Sequence, residues 1–249
     1  MSRYLPVYEL HDYDLRHVVE RIPRDLRDLL SAYPKTLMVG GGFIRSVIGR
    51  EPVNDIDLFC DNAEWGEAII REFAKRREAR VYKSGNALTV LTPNRTNIQL
   101  ITRWTFDNMP DLVDSFDFTV CQAAICRSGR VSNDPWISRV GPRFYSDLAA
   151  KRLHYTAPKR EEEAGGSMLR VIKYVQRGYS IQVGSLGAVI ARLTAGVPEE
   201  AGPNQELYRG GHIATRLREV DPALQVDGLE ITFDHEADEP IPTLDEAAS

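Results

Sequence analysis

The sequence predicts an α+β fold: a mixed or antiparallel sheet with flanking helices, followed by a small helical lobe. Three observations predict it. Apolar residues recur at helical spacing before residue 33 and again after residue 148; short β-rich runs punctuated by Gly, Pro and Asn fill the stretch between; no repeat or low-complexity tract interrupts them. With 249 residues, 43% hydrophobic and 27% charged, the chain has the composition of a folded protein with a real core, which excludes collagen-like, disordered and mini-protein classes.

From Tyr13 to Tyr33, Leu15, Val18, Val19, Ile22, Leu26, Leu29 and Leu30 define helix in two pieces around Pro23. Thr36 to Val39 reads as a buried strand running into Gly40-Gly41-Gly42, where backbone must come close to something. Phe43 to Ile48 is a short helix closed by Gly49, Ile56 to Cys60 a second strand, and Ala63 to Ala79 a helix carrying Trp65, Ile69 and Phe73 every four residues. Val81-Tyr82, Ala87 to Leu91 and Thr96 to Trp104 form a β-meander, with turns at Ser84-Gly85-Asn86 and Pro93-Asn94-Arg95. A helical turn at Asp111 to Ser115 precedes a strand around Phe118 to Cys126. Helices follow at Met168 to Tyr179, Leu186 to Leu193 and Ile213 to Val220, with Gly165-Gly166 and Gly210-Gly211 as loops between helices. The expected organisation is a lobe over 1–145, a helical lobe over 146–226 and an acidic tail over 227–249.

No apolar run approaches the roughly 20 residues that span a bilayer, and the first residues do not read as a signal peptide, so no membrane is expected. Three cysteines, Cys60, Cys121 and Cys126, fit a reducing cytoplasm and exclude a disulfide scaffold, and without nearby His partners they are not expected to hold zinc. The five His are scattered, without ligand-like spacing. Net charge is −5, but Asp227 to Ser249 carries eight acids and no Lys or Arg, so the main body is mildly basic. The tail reads as a solvated extension whose sign would let it compete with nucleic acid for a basic face.

The chemistry concentrates between Gly41 and Leu58. A Gly-Gly pair after a strand and before a helix leaves backbone N–H groups free to approach phosphate, aided by the positive end of the helix dipole. Asp55 and Asp57 then alternate along a strand, so both carboxylates project from one face while Ile56 and Leu58 point into a core. Adjacent carboxylates repel unless a cation lies between them, and oxygen donors suit Mg²⁺. A glycine-rich phosphate loop with paired strand carboxylates, and Arg45 and Arg50 between them, points to metal-dependent phosphoryl or nucleotidyl transfer. No Walker motif occurs, which argues against a P-loop NTPase.

The segment resembles the signature of the DNA polymerase β nucleotidyltransferase superfamily, in its bacterial-type (class II) CCA-adding enzyme and poly(A) polymerase branch: Gly-Gly-x-[Val/Ile]-Arg-Asp, a short helix, Gly-Arg-x-Pro, then Asp-x-Asp. The matching residues are Gly41, Gly42, Ile44, Arg45, Gly49, Arg50, Pro52, Asp55 and Asp57; Ser46 departs, standing where that branch has Asp. Ser115 to Cys121 is similar to the branch's Arg-Arg-Asp-Phe-Thr-Ile-Asn, keeping Asp117, Phe118 and Thr119 without the arginines or the asparagine. Leu169 to Tyr174, ending at Gly178-Tyr179, resembles its Leu-Arg-Ala-Val-Arg-Phe helix. On that helix Arg170, Lys173 and Arg177 form one basic stripe, with Val171, Val175 and Tyr179 facing inward. The resemblance covers residues 36–180. The base-reading Glu-Asp-x-x-Arg motif is not found, the tRNA-binding body and tail are not expected in a chain this short, and the slot of a third carboxylate holds Gln99, leaving Asp117 as the best replacement candidate.

The resemblance implies an NTP-dependent nucleotidyltransferase moving NMP from ATP or CTP to an acceptor hydroxyl, foremost an RNA 3′ end, tRNA among them. Asp55 and Asp57 are expected to hold two Mg²⁺ ions about 4 Å apart, Mn²⁺ being an alternative. Gly41 and Gly42 bind the triphosphate through backbone in this reading, Arg45, Arg170 and Lys173 add charge-assisted contacts, and Asp117 orients ribose or acceptor. A protein or small-molecule hydroxyl is the alternative acceptor, and a catalytically silent nucleotide- or RNA-binding module the alternative class. The basic run Lys75, Arg76, Arg77, Arg80 and Lys83 leans toward RNA or is a solvated helix end, while Trp104 and Trp136 could stack on a base but read foremost as packing residues.

Overall fold

A computed structural model describes residues 8–129, 136–158, 164–197 and 205–218; the expected acidic tail lies outside them. Two helices open the fold, α1 (Asp12–Arg21) and α2 (Arg24–Ala32), with Pro23 at the N-cap of α2, where a residue without an N–H does least harm. Strand β1 (Leu37–Gly40) leads into α3 (Gly42–Ile48), then β2 (Asp55–Cys60) and α4 (Ala63–Arg76). Asn62 caps α4 by accepting from the Trp65 N–H at 2.9 Å. Strands β3 (Arg80–Lys83), β4 (Ala87–Leu91) and β5 (Asn97–Ile101) form the expected meander. After α5 (Met109–Asp114) come β6 (Ala123–Arg127), β7 (Trp136–Val140) and α6 (Phe144–Ala149).

The seven strands form one sheet in the order β3-β4-β5-β2-β1-β6-β7, with β2 and β5 parallel and every other pairing antiparallel. Period-2 alternation divides its two faces. Leu37, Val39, Ile56, Leu58, Leu88, Val90, Ile98 and Leu100 share a buried core with Val18, Ile22, Leu26 and Leu30 of α1 and α2 and Ile70 and Phe73 of α4. Helix α4 lies so close to the sheet that a Cβ at Gly66 would sit 2.6 Å from the Cys60 sulfur. The opposite face carries Met38, Phe59, Ala124 and Cys126 under Leu112 and Val113 of α5, and the uncovered part of that face bears Asp55 and Asp57 of β2.

Beyond the sheet, β8 (Arg152–Leu153) and β9 (Ser180–Ile181) pair in parallel, and α7 (Ala164–Gln176) packs with α8 (Val183–Thr194) and α9 (Gln205–Arg218). Asp147 ties this part to the sheet: its fully buried carboxylate accepts from Thr119 Oγ1 at 2.7 Å, Arg143 Nε at 3.1 Å and Arg152 Nη2 at 2.8 Å. Among the described residues no helix is long and apolar enough to cross a membrane.

Four local expectations are corrected. The strand around Phe118 to Cys126 is broken by a 3-10 turn at Thr119–Cys121, because Thr119 N–H donates to the His154 carbonyl and Phe118 bridges to Tyr155. Gly165-Gly166 and Gly210-Gly211 lie inside α7 and α9, where packing between helices overrides the weak intrinsic preference of glycine. Val175 is exposed, and Tyr174 takes the buried position instead. Helix α4 stops at Arg76, with Glu78 at positive φ just beyond it.

Candidate active site

The uncovered face of the sheet opens into a cleft of about 210 Å³. Asp55 and Asp57 both line it, as does Gly42 at the start of α3, and Asn54 stands beside the carboxylates. The strand that carries the pair is fixed on both sides: β1 at Leu58, and β5 with Asp55 opposite Asn97 and Asp57 opposite Gln99. The slot beside Asp57 therefore holds a neutral amide, 8% exposed. Helix α7 closes the other wall with Ser167, Arg170, Lys173, Tyr174 and Arg177, and α8 contributes Arg192. Burial pushes the Lys173 ammonium below the usual lysine range, against the pull of Asp55 and Asp57.

The two glycines of the loop differ. Gly41 adopts φ +74°, and a Cβ there would lie 2.9 Å from the Phe116 ring, so only glycine fits. Its N–H donates to the Ala123 carbonyl at 2.9 Å and belongs to the sheet edge. Around Gly42 nothing lies within 4 Å of where a Cβ would stand, so the cleft is open at the helix start.

Arg45 is 2% exposed. Its guanidinium stacks 4.6 Å from the Tyr174 ring, donates to Ser46 Oγ at 2.9 Å and faces Glu51 at 3.4 Å. Glu51 in turn accepts from the Tyr179 hydroxyl at 2.7 Å. Arg45 thus spans from α3 to α7, and Ser46 is one of its partners, which gives that position a local purpose. Asp117 is held by Arg170 at 2.9 Å and by Ser167 Oγ at 3.0 Å, both on Oδ2. Cys121 lies 3.0 Å from the Tyr174 hydroxyl, and burial pushes its thiol up.

A family model described as Gabija anti-defense 2 family protein matches residues 9–151. The chain belongs to the Gabija anti-defense 2 family. The matched region holds β1 to α6, hence Gly41, Gly42, Asp55, Asp57, Gln99 and Asp117 of this Gabija anti-defense 2 protein. No curated protein sequence matches. Among solved structures, the CCA-adding enzyme of Thermotoga maritima complexed with tRNA is 18% identical, with a TM-score of 0.52 over 86% of this chain and 52% of the enzyme. A CCA-adding enzyme in complex with CTP gives 19% identity and a TM-score of 0.54 over 88% and 52%, and one with ATP gives 18% and 0.53 over 85% and 55%. The Gabija anti-defense 2 chain therefore has a nucleotidyltransferase-like fold and spans about half the length of those enzymes.

Within the basic run expected to track RNA, Arg77 is taken out of solvent in this Gabija anti-defense 2 protein, while Arg76 and Lys83 make exposed surface pairs. Arg77 is buried with Nε 2.8 Å from Asp25, Lys83 reaches Glu67 at 2.7 Å and Arg76 reaches Glu72 at 3.3 Å. The cleft also gathers Phe59, Asn86, Phe116 and Arg192, to which the sequence assigned no site role, and Trp104, expected foremost as a packing residue. Phe59 continues the alternation of Asp55 and Asp57, a signal present in the sequence. The others arrive from distant segments, loops for Asn86, Trp104 and Phe116 and helix α8 for Arg192, and carry no local signature.

Proposed function

We propose that this protein transfers a nucleoside monophosphate from an NTP to an acceptor hydroxyl. The observation that carries the reading is the placement of Asp55 and Asp57 in one cleft with Gly42 and the cations of α7. Two hard carboxylate donors on one strand face fit Mg²⁺ or Mn²⁺, two ions in the fullest form, and the amide of Gln99 adds a neutral oxygen beside them. When bound, the metal supplies neutralisation of phosphate charge and a lowered pKa for the attacking hydroxyl. Lys173, Arg170 and Arg177 hold the negative charge of the triphosphate, and the Gly42 end of α3 receives it through backbone. Asp117 orients Arg170. Gly41 shapes the bend, and Arg45, which lines the cleft while bridging α3 to Tyr174 of α7, adds positive charge beside the triphosphate.

ATP or CTP as donor is supported by the distant fold relatives, which are complexes with those nucleotides. An RNA 3′ end, tRNA included, has the same distant support. The family description supports a different acceptor, a component of the Gabija defence that the family is named for countering. Three free, buried thiols suit a cytoplasmic protein. In this reading residues 1–145 form the catalytic lobe and 146–226 the second lobe, whose α7 supplies the cations that face the carboxylate pair.

The test is pyrophosphate release from ATP and CTP with Mg²⁺, with Gabija defence components or RNA supplied as acceptor. Release that Asp57→Asn abolishes supports the reading; nucleotide binding without any release would favour a silent binding module.

A further inference from the structure

We propose that a second cleft, where the start of α2, the residue that ends α4 and the turn between β4 and β5 meet, is a binding site for a phosphate group. It shares no residue with the Asp55–Asp57 cleft and stands independently of the reaction performed there. Helices α2 and α4 pack on the core face of the sheet, whereas the carboxylate pair sits on the other face.

The second cleft measures about 560 Å³. Arg24, Asp25 and Asp28 of α2 line it, with Arg77 from the end of α4 and Asn94 and Arg95 from the turn. Helix α2 has nine residues and opens at Pro23, which supplies no side-chain cap. The Leu26 N–H donates to Asp25 Oδ1 at 3.0 Å, and the Arg27 N–H to the Pro23 carbonyl at 2.9 Å. The Arg24 and Asp25 N–H groups have no acceptor within the helix and mark its positive end.

Arg77 carries the argument. Its side chain is 3% exposed, and its Nε lies 2.8 Å from Asp25 Oδ2. Both Nη1 and Nη2 are buried, yet among the described residues neither has a hydrogen-bond partner. The Phe73 ring, 5.3 Å from the guanidinium carbon, offers a face and no lone pair. Nor can Asp25 complete the fork, because the same Oδ2 also faces Arg95 Nη1 at 3.6 Å. A buried guanidinium with most of its donors unmet is costly, and a ligand with several oxygens relieves that cost.

Charge and donor count select the ligand. Arg24, Arg77 and Arg95 outnumber Asp25 and Asp28, so the cleft keeps net positive charge beside the helix end. Its donors come from three separate elements. A planar carboxylate satisfies one fork, whereas a tetrahedral phosphate carries oxygens enough for a buried fork, a helix end and a second guanidinium together. Such a group arrives either as free phosphate or as a phosphodiester of a polynucleotide backbone, and both present the same oxygens.

The experiment titrates the full chain calorimetrically with inorganic phosphate, with an RNA oligonucleotide bearing hydroxyls at both ends, and with polyglutamate. Phosphate or the oligonucleotide is expected to bind, and the tighter of the two identifies the source. Arg24 and Arg95 are exposed, so an R24Q/R95Q variant keeps the fold and should weaken that binding at least tenfold. A K75Q/R76Q variant makes the same change of charge at exposed positions outside the cleft and should weaken it less than twofold. Arg77→Lys keeps the charge but removes the fork, and should also cost at least tenfold with the circular dichroism unchanged; if that variant fails to fold, R24Q/R95Q decides. Equal losses in the two double variants overturn the proposal, since the attraction would then belong to the whole surface. A folded Arg77→Lys of undiminished affinity overturns it too, as does polyglutamate binding as tightly as the phosphate probes, or no binding of either phosphate probe.

Discussion

Asp57 stands directly opposite Gln99 across the parallel pairing of β2 and β5. A third acid at that position would join the carboxylates, but an amide adds oxygen without charge. In the proposed reading metal affinity would depend on Asp55 and Asp57, and added charge should raise it. Thermal unfolding with and without 10 mM Mg²⁺ tests this. The wild type should gain stability from the ion, Asp57→Asn should gain none, and Gln99→Glu should gain more than the wild type while starting from a lower metal-free Tm.

The bend at Gly41 is tuned to Phe116. Alanine there would adopt a strained backbone and press its methyl into the ring 2.9 Å away. Gly41→Ala should therefore lose about 2 kcal/mol in urea unfolding. With Phe116→Ala in the same chain the steric part disappears, so the double variant should lose less than the sum of the singles. Strict additivity would show that the contact carries no cost.

Acid sensitivity should centre on Asp147. Burial alone would push its carboxyl up, yet hydrogen bonds from Arg143, Thr119 and Arg152 outweigh that and hold it below the usual carboxylate range. A group with a depressed folded pKa contributes stability that is complete above its unfolded value of about 3.9 and is lost as pH falls through the folded value. The unfolding free energy should hold from pH 7 to about pH 5 and fall below about pH 4. Asp147→Asn should cost about 3 kcal/mol at pH 7 by leaving buried cation partners undercompensated, and should flatten that acid slope.

Much of this site could be read from local pattern. Alternation around Ile56 and Leu58 set Asp55 and Asp57 on one face, and Pro23 divided the first two helices, because those features depend on neighbours in sequence. Other parts depend on distant partners. Arg77 reads as a free cation until α2 brings Asp25 against it. Gly41 reads as a phosphate donor until β6 takes its N–H. Trp104 reads as packing until the meander turns its loop into the cleft. Gly165 and Gly166 read as loop because glycine is a poor helix former, and only contacts from the neighbouring helices decide otherwise.

The central claim is that Asp55 and Asp57 present a metal-bound nucleotide to the cleft. A crystal structure with Mn²⁺ and a non-hydrolysable ATP or CTP analogue tests it most directly. Anomalous density touching both carboxylates, with the triphosphate running between Gly42 and Lys173, is the predicted result. Analogue bound away from β2, or carboxylates without metal while nucleotide fills the cleft, would contradict it.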